Sequence, residues 1–241
     1  MASNEKKPVV LVHGTGHGGW CWRLLTPILR AEGHEVHAPT LSGLGSSSHM
    51  LKCGVDLTTH IEDITKLLFY EDLHDTVLVG HSYAGMVITG VAVSATERLS
   101  KLVYLDAYIP REGQSELDLW PEEWRAKALA DMEAGTTTRS PASLFPILGI
   151  SDKKIAEWVK TRLTPHPLST YMQAPPSSTP ESKSLPRAYI SCTVGKIVPI
   201  FAPFAELARI EGWDVRELAT GHDAMLTAPR KLAKILIELA R

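Results

Sequence analysis

Ser82 stands in the run Gly80-His81-Ser82-Tyr83-Ala84-Gly85, between an apolar stretch, Thr76-Val77-Leu78-Val79, and a helix-compatible one, Met86 to Ala92. A glycine-flanked serine in that setting reads as a nucleophile elbow, a strand-to-helix turn that holds a hydroxyl exposed above a sheet edge. The plainer reading is an ordinary βα turn. A serine nucleophile needs a base, and His222 is the candidate, in Gly221-His222-Asp223-Ala224-Met225 between the last strand signal and the last helix. The order serine then histidine suits this kind of scaffold. His81 adjoins Ser82 and belongs to its turn, while His13 and His17 belong to the loop His13-Gly14-Thr15-Gly16-His17-Gly18-Gly19. An oxyanion needs two converging backbone N–H groups. Tyr83, after the nucleophile, and Thr15, in the glycine loop, are placed to supply them. The acid is the weakest assignment. Asp106 is the only carboxylate at a strand end between Ser82 and His222, with capping or a structural pair as its alternative role. Asp223 is a sequence neighbour of His222, and Asp214 precedes a strand and so faces the opposite sheet edge.

The elements that must position these groups alternate. Pro8 to Val12 reads as a buried parallel strand, Trp20 to Leu29 as a helix, and Val36 to Pro39 as a second strand. Asp56 to Glu71 carries a helical pattern through Leu57, Ile61, Ile64, Leu67 and Leu68. The elbow strand and helix follow, then a strand, Leu102 to Leu105, ending at Asp106. This order predicts a mostly parallel, twisted sheet with helices on both faces. Residues 108–186 break the pattern, with helices expected over Pro121–Ala130 and Lys153–Leu163 and no clear strand run. They read as an inserted helical cap, too long for a loop. The alternation resumes with Arg187 to Cys192, Phe201 to Glu211, Val215 to Leu218 and Pro229 to Ala240. Residues 1–107 and 187–241 are therefore expected to form the core.

Composition narrows the function. The 241 residues are 44% hydrophobic with a formal net charge of -2, so a sizeable core is available and no basic nucleic-acid footprint is present. Three scattered cysteines suit neither a disulfide framework nor a zinc motif. Met1 to Pro8 precedes only a short apolar run, too short for a leader core or a membrane span. A cytoplasmic protein without membrane or nucleic-acid partners is expected, with a homodimer as the alternative to a monomer. A serine route requires neither metal nor cofactor, and none is expected.

Together, Leu11 to Trp22, Gly80 to Gly85, Tyr104-Leu105-Asp106-Ala107 and Gly221 to Met225 resemble the α/β-hydrolases. The similarity is to the subgroup of plant hydroxynitrile lyases and methyl esterases with their bacterial esterase relatives, which include aryl carbamate esterases. It spans nearly the whole chain and is loosest over the cap. It implies an α/β-hydrolase fold and a Ser82–His222–acid triad. In the lyases a lysine follows the catalytic histidine and a threonine stands in the first loop; here those positions are Asp223 and Gly14, which favours hydrolysis. The family's usual acid falls at Gly195, which puts the weight on Asp106.

The expected activity is therefore cleavage of small hydrophobic carboxylic or carbamic esters through an acyl-enzyme. The alternatives are a hydroxynitrile lyase and a non-catalytic binding protein on the same scaffold. Gly14, His17, Trp120, Trp124 and Trp158 are the expected substrate contacts, the tryptophans as apolar surface from the cap.

Overall fold

The computed structural model describes residues 6–241; Met1–Glu5, the start of the stretch judged unlike a leader, lie outside the described residues. The chain runs β1 (Val9–Val12), α1 (Thr26–Ala31), β2 (Val36–His37), α2 (Leu57–Tyr70), β3 (Thr76–His81), α3 (Ala84–Ser94) and β4 (Leu99–Leu105). Next come α4 (Glu116–Leu119), α5 (Glu122–Glu133), β5 (Thr138–Arg139), α6 (Pro141–Leu144), α7 (Lys153–Lys160), β6 (His166–Pro167) and α8 (Pro180–Ser184). The chain closes with β7 (Arg187–Cys192), α9 (Val198–Ile210), β8 (Asp214–Leu218), α10 (Ala224–Thr227) and α11 (Pro229–Leu239).

Six parallel strands form one sheet in the order β2-β1-β3-β4-β7-β8. The central strands are buried on both faces, which is why they read as unbroken apolar runs such as Val9-Val10-Leu11-Val12. One core cluster joins α2, α3 and α9 to the sheet, and a second joins α1, α10 and α11 to its other face. Helix α2 starts sharply because Asp56 Oδ1 accepts from Thr59 N–H at 2.9 Å in a capping box. Helix α3 is buried almost all round, pressed between sheet and α2. A Cβ at its Gly90 would lie 2.2 Å from Ile61 Cδ1, so glycine is what allows that approach.

Three elements differ from the sequence reading. The expected helix over Trp20–Leu29 splits into a 3-10 turn at Gly19–Trp22 and α1, which begins with Pro27 in its first turn. The second strand pairs only over Val36–His37, at the sheet edge. The insertion, expected to lack strands, contains a two-residue antiparallel pair, Thr138–Arg139 with His166–Pro167, too short to leave a periodic signal.

The topology creates the site. The chain steps from β1 outward to β2 and returns to β3 on the other side of β1, so the connections diverge at the carboxyl ends of β1 and β3. Val12 pairs with Gly80 and His81 with Leu105. That register sets the glycine loop after β1, the serine turn after β3 and Asp106 after β4 side by side.

Candidate active site

Ser82 follows the last residue of β3 at φ +56°, a conformation that side chains rarely adopt. Its N–H donates to Leu105 O at 3.2 Å, and its carbonyl accepts from Gly85 and Tyr108 N–H at 3.1 and 3.3 Å, so both neighbours hold the turn. Ala84 stands two residues after the serine, where the common five-residue elbow pattern has its second glycine. Glycine falls one residue later because Tyr108 passes there: a Cβ on Gly85 would lie 2.0 Å from Tyr108 O.

Asp106 also adopts positive φ, +43°, which turns its side chain toward β7 and the His222 loop. Its Oδ1 accepts from Cys192 N–H at 3.1 Å and its Oδ2 from His222 Nδ1–H at 2.7 Å, with both side chains buried. Gly195, the position of the family's usual acid, has open space where a side chain would stand. His222 is held from three further directions. Phe201 stacks on its ring at 4.8 Å, the His81 ring lies 4.4 Å away, and His81 Nε2–H donates to the His222 carbonyl at 3.1 Å. Burial and the neighbouring histidines hold His81 well below the usual imidazole range, so it is neutral and can keep that single proton on Nε2. Among the described residues no hydrogen bond joins Ser82 to the free face of His222; the two line one cavity, and such contacts commonly tighten only when substrate is bound.

The glycine loop passes directly over the serine: a Cβ on Gly14 would lie 2.8 Å from Ser82 Cβ. Among the described residues neither Thr15 N–H nor Tyr83 N–H has a protein acceptor, so two donors beside the nucleophile are unspent. The insertion clamps this loop. Thr164 N–H donates to Gly16 O at 2.9 Å, Gly16 N–H to His166 Nδ1 at 3.2 Å, and Tyr171 O–H to Thr15 Oγ1 at 3.1 Å.

The cavity at Ser82 is also lined by Thr15, Tyr108, Glu116, Trp124, Arg139 and Phe201. Trp124 thus stands on the cavity wall, and Gly14 contributes backbone beside Ser82. Two of the other three expected contacts, Trp120 and Trp158, need correction, whereas His17 lines the cavity as well. The His17 ring nitrogens are engaged: Nδ1–H donates to Thr15 O at 2.8 Å and Nε2–H to Asp223 Oδ2 at 3.1 Å. Burial opposes the charge of His17, yet the Asp223 carboxylate outweighs this and raises its pKa. Trp120 lies beneath the cavity wall, donating Nε1–H to Glu116 Oε1 at 3.0 Å and packing on Tyr171. Trp158 faces away, edge-on to Trp20 at 5.2 Å with the guanidinium groups of Arg23 and Arg162 over its ring. Trp158→Ala is therefore expected to leave KM for a small aromatic ester within about twofold of wild type while lowering Tm, as a packing loss does. Steady-state kinetics beside a thermal melt check this.

Sequence reasoning missed Glu116, Arg139 and the His17–Asp223 pair. Glu116 and Trp120 are spaced i,i+4, a readable local pairing signal. Asp223 and His17 are 206 residues apart and left no signal to read. No group of three or more His, Cys, Asp or Glu residues able to hold a metal occurs among the described residues.

Comparison with known proteins identifies the fold and the family. The alpha/beta hydrolase family matches residues 9–235. A carbendazim hydrolyzing esterase from Nocardioides sp. (strain SG-4G) is 39% identical over 95% of this chain and 98% of its own length. Methylesterase 10 of Arabidopsis thaliana is 27% identical over 100% of this chain and 94% of its own. Among solved structures, an extracellular alpha/beta-hydrolase from a Paenibacillus species superposes with a TM-score of 0.83 at 23% identity, covering 96% of this chain and 98% of that one. With the parallel sheet, the helical insertion over its carboxyl edge and a serine turn at the point where the connections diverge, the chain belongs to the alpha/beta hydrolase family.

Proposed function

We propose that this chain is a serine esterase that cleaves small hydrophobic carboxylic and carbamic esters through an acyl-enzyme. The observation that carries the reading is the Asp106 Oδ2–His222 Nδ1 bond at 2.7 Å, with His222 and Ser82 lining one cavity. Asp106 keeps the His222 proton on Nδ1, leaving Nε2 free to take the Ser82 proton as the hydroxyl attacks the ester carbonyl. Thr15 and Tyr83 N–H hold the oxyanion. The tetrahedral adduct collapses, the leaving alcohol or amine departs with the proton from His222, and water then attacks the acyl-enzyme by the same base.

Carbamic esters enter the proposal through the Nocardioides relative, and carboxylic methyl esters through the Arabidopsis one. The cavity is small, about 30 Å³, so an ester of more than a few atoms requires its walls to yield. Two features support hydrolysis over cyanohydrin cleavage. A threonine at Gly14 would collide with Ser82, and Asp223, in place of the lyase lysine, is bound to His17. The three cysteines are free thiols, which supports a reducing, cytoplasmic setting, and no described helix is long and apolar enough to cross a membrane.

A fluorophosphonate probe is expected to label Ser82 and to abolish p-nitrophenyl acetate hydrolysis in parallel, with mandelonitrile left uncleaved. Folded protein that takes no label would overturn the esterase reading, and mandelonitrile cleavage would favour the lyase.

A further inference from the structure

Glu116 is the one acidic side chain among the residues that line the Ser82 cavity, and the mechanism above does not use it. It is 1% exposed. Its Oε1 accepts from Trp120 Nε1–H at 3.0 Å, while its Oε2 has no partner among the described residues. The cation of the same cavity, Arg139, lies over the faces of Trp120 and Trp124 at 4.7 and 5.5 Å rather than against Oε2. A buried carboxyl oxygen without a partner costs stability, and an enzyme that keeps one beside its reacting serine has a use for it. The other lining side chains near the insertion, Leu144, Ile147, Leu148 and Trp124, offer hydrocarbon and an aromatic face. A substrate group there meets an apolar wall with a single strong polar group.

We propose that Glu116 is a specificity-determining residue: its neutral carboxyl donates Oε2–H to a hydrogen-bond acceptor on the non-reacting part of the substrate, with a heteroaromatic ring nitrogen as the fitting class. The proposal rests on the serine esterase reading and adds a substrate class to it. The protonation state agrees. Burial raises the Glu116 carboxyl to about 8, against the opposing effects of the Trp120 hydrogen bond and the Arg139 charge. With Trp120 N–H on Oε1, the proton resides on Oε2. None of the other groups around it is hydrogen-bonded to Oε2 among the described residues. Tyr83, Tyr108 and Tyr171 are phenols held above their ordinary range by burial, and Arg139 is a cation from β5. His17, His81 and His222 line the cavity with Glu116, but their assigned hydrogen bonds run to Thr15 and Asp223, to the His222 carbonyl, and to Asp106. A site built around one buried donor discriminates against an analogue that leaves the donor unpaired.

The test compares kcat/KM for methyl phenylacetate with that for the methyl 2-, 3- and 4-pyridylacetates, in which one ring C–H becomes an acceptor nitrogen. At about pH 7 the best pyridyl-to-phenyl ratio of the wild type is expected to exceed that of Glu116→Met by about tenfold, and intrinsic ester reactivity cancels in the comparison. Glu116→Gln is expected to keep the preference, because its amide N–H donates where Oε2–H did. At about pH 9.5 the wild type is expected to lose the preference, since the ionised carboxyl no longer donates, whereas Glu116→Gln retains it. If Glu116→Met does not fold, the opposite pH behaviour of wild type and Glu116→Gln decides the matter. Equal ratios in wild type and Glu116→Met at about pH 7, or a wild-type preference that grows above pH 8, would overturn the proposal. If Ser82 resists the fluorophosphonate and none of the esters is turned over, the esterase reading itself fails and takes this proposal with it.

Discussion

Asp106→Asn is expected to lower kcat by about four orders of magnitude with the fold intact. Asparagine can still accept from Cys192 N–H through Oδ1, so the turn after β4 keeps its tie to β7. The other position becomes an amide that donates. His222 Nδ1 must then accept, and its proton moves to Nε2, the nitrogen that has to receive the Ser82 proton. The geometry survives while the base arrives already protonated. Because Asp106 is fully buried and Gly195 has open space around it, no second carboxylate stands ready to replace the first. The measurements are kcat for p-nitrophenyl acetate, the rate of fluorophosphonate labelling, and near-UV circular dichroism. A loss smaller than about tenfold with a native spectrum would show that Asp106 is a structural carboxylate.

That Asp106 was readable at all shows what a single chain discloses. Leu102-Val103-Tyr104-Leu105 is an unmistakable buried strand, and a carboxylate at its end can face only the edge where the serine turn emerges. Position along a strand is local information, and it survives in the sequence. The φ of +43° that swings the carboxylate toward His222 is not local, since it depends on β7 passing alongside, with Asp106 N–H bound to Ile190 O at 2.7 Å. The cap shows the opposite limit. Trp124 and Trp158 look alike in sequence, each on a short helix of mixed polarity, yet one lines the cavity and the other packs outward on Trp20. Which way such a helix faces is decided by tertiary partners such as Arg139 and Trp20, which lie far from it along the chain or on another element. His17 shows the same limit. Its place in the glycine loop suggested a ligand contact; it does line the cavity, and only the fold reveals that its ring nitrogens are bound to Thr15 O and Asp223.

The buried histidines make acid lability the largest stability effect expected of this protein. His13, His60, His81 and His166 are all held below the ordinary imidazole range, chiefly by burial, His13 to about 3. Each is neutral, and in three of them both ring nitrogens are engaged; Nδ1 of His81 has no partner among the described residues. His13 donates Nδ1–H to Gly14 O and accepts from Leu41 N–H, while His60 donates Nε2–H to Ser42 O and accepts from Tyr83 O–H. His166 donates Nε2–H to Thr170 Oγ1 and accepts from Gly16 N–H. Protonation in the fold would put a donor where an acceptor is required. In the unfolded chain all four take up protons near pH 6.5. Their folded pKa values are lowered, so the stability tied to them is complete above that value and is lost as the pH falls from there toward the folded values. Two groups run the other way. His17 has a raised folded pKa, so its pairing with Asp223 is at full strength below pH 6.5 and weakens only as the pH rises through the folded value. Glu116, raised to about 8, already holds its proton in the fold where an unfolded glutamate would not, so it offsets one of the four. Unfolding at about pH 5 should therefore take up about two to three protons, and stability should fall by about 3–4 kcal/mol per pH unit. A total stability of about 5–15 kcal/mol is used up by such a slope within about one and a half to four units below pH 6.5, which places acid unfolding between about pH 2.5 and 5. Denaturant melts between about pH 5 and 7 measure the slope, and His13→Asn, measured against wild type, should reduce it by about one proton. A wild-type slope near zero across that range would mean that the histidines take up protons inside the fold, and the hydrogen bonds they make to the glycine loop and beneath the serine turn could not then have the directions assigned here.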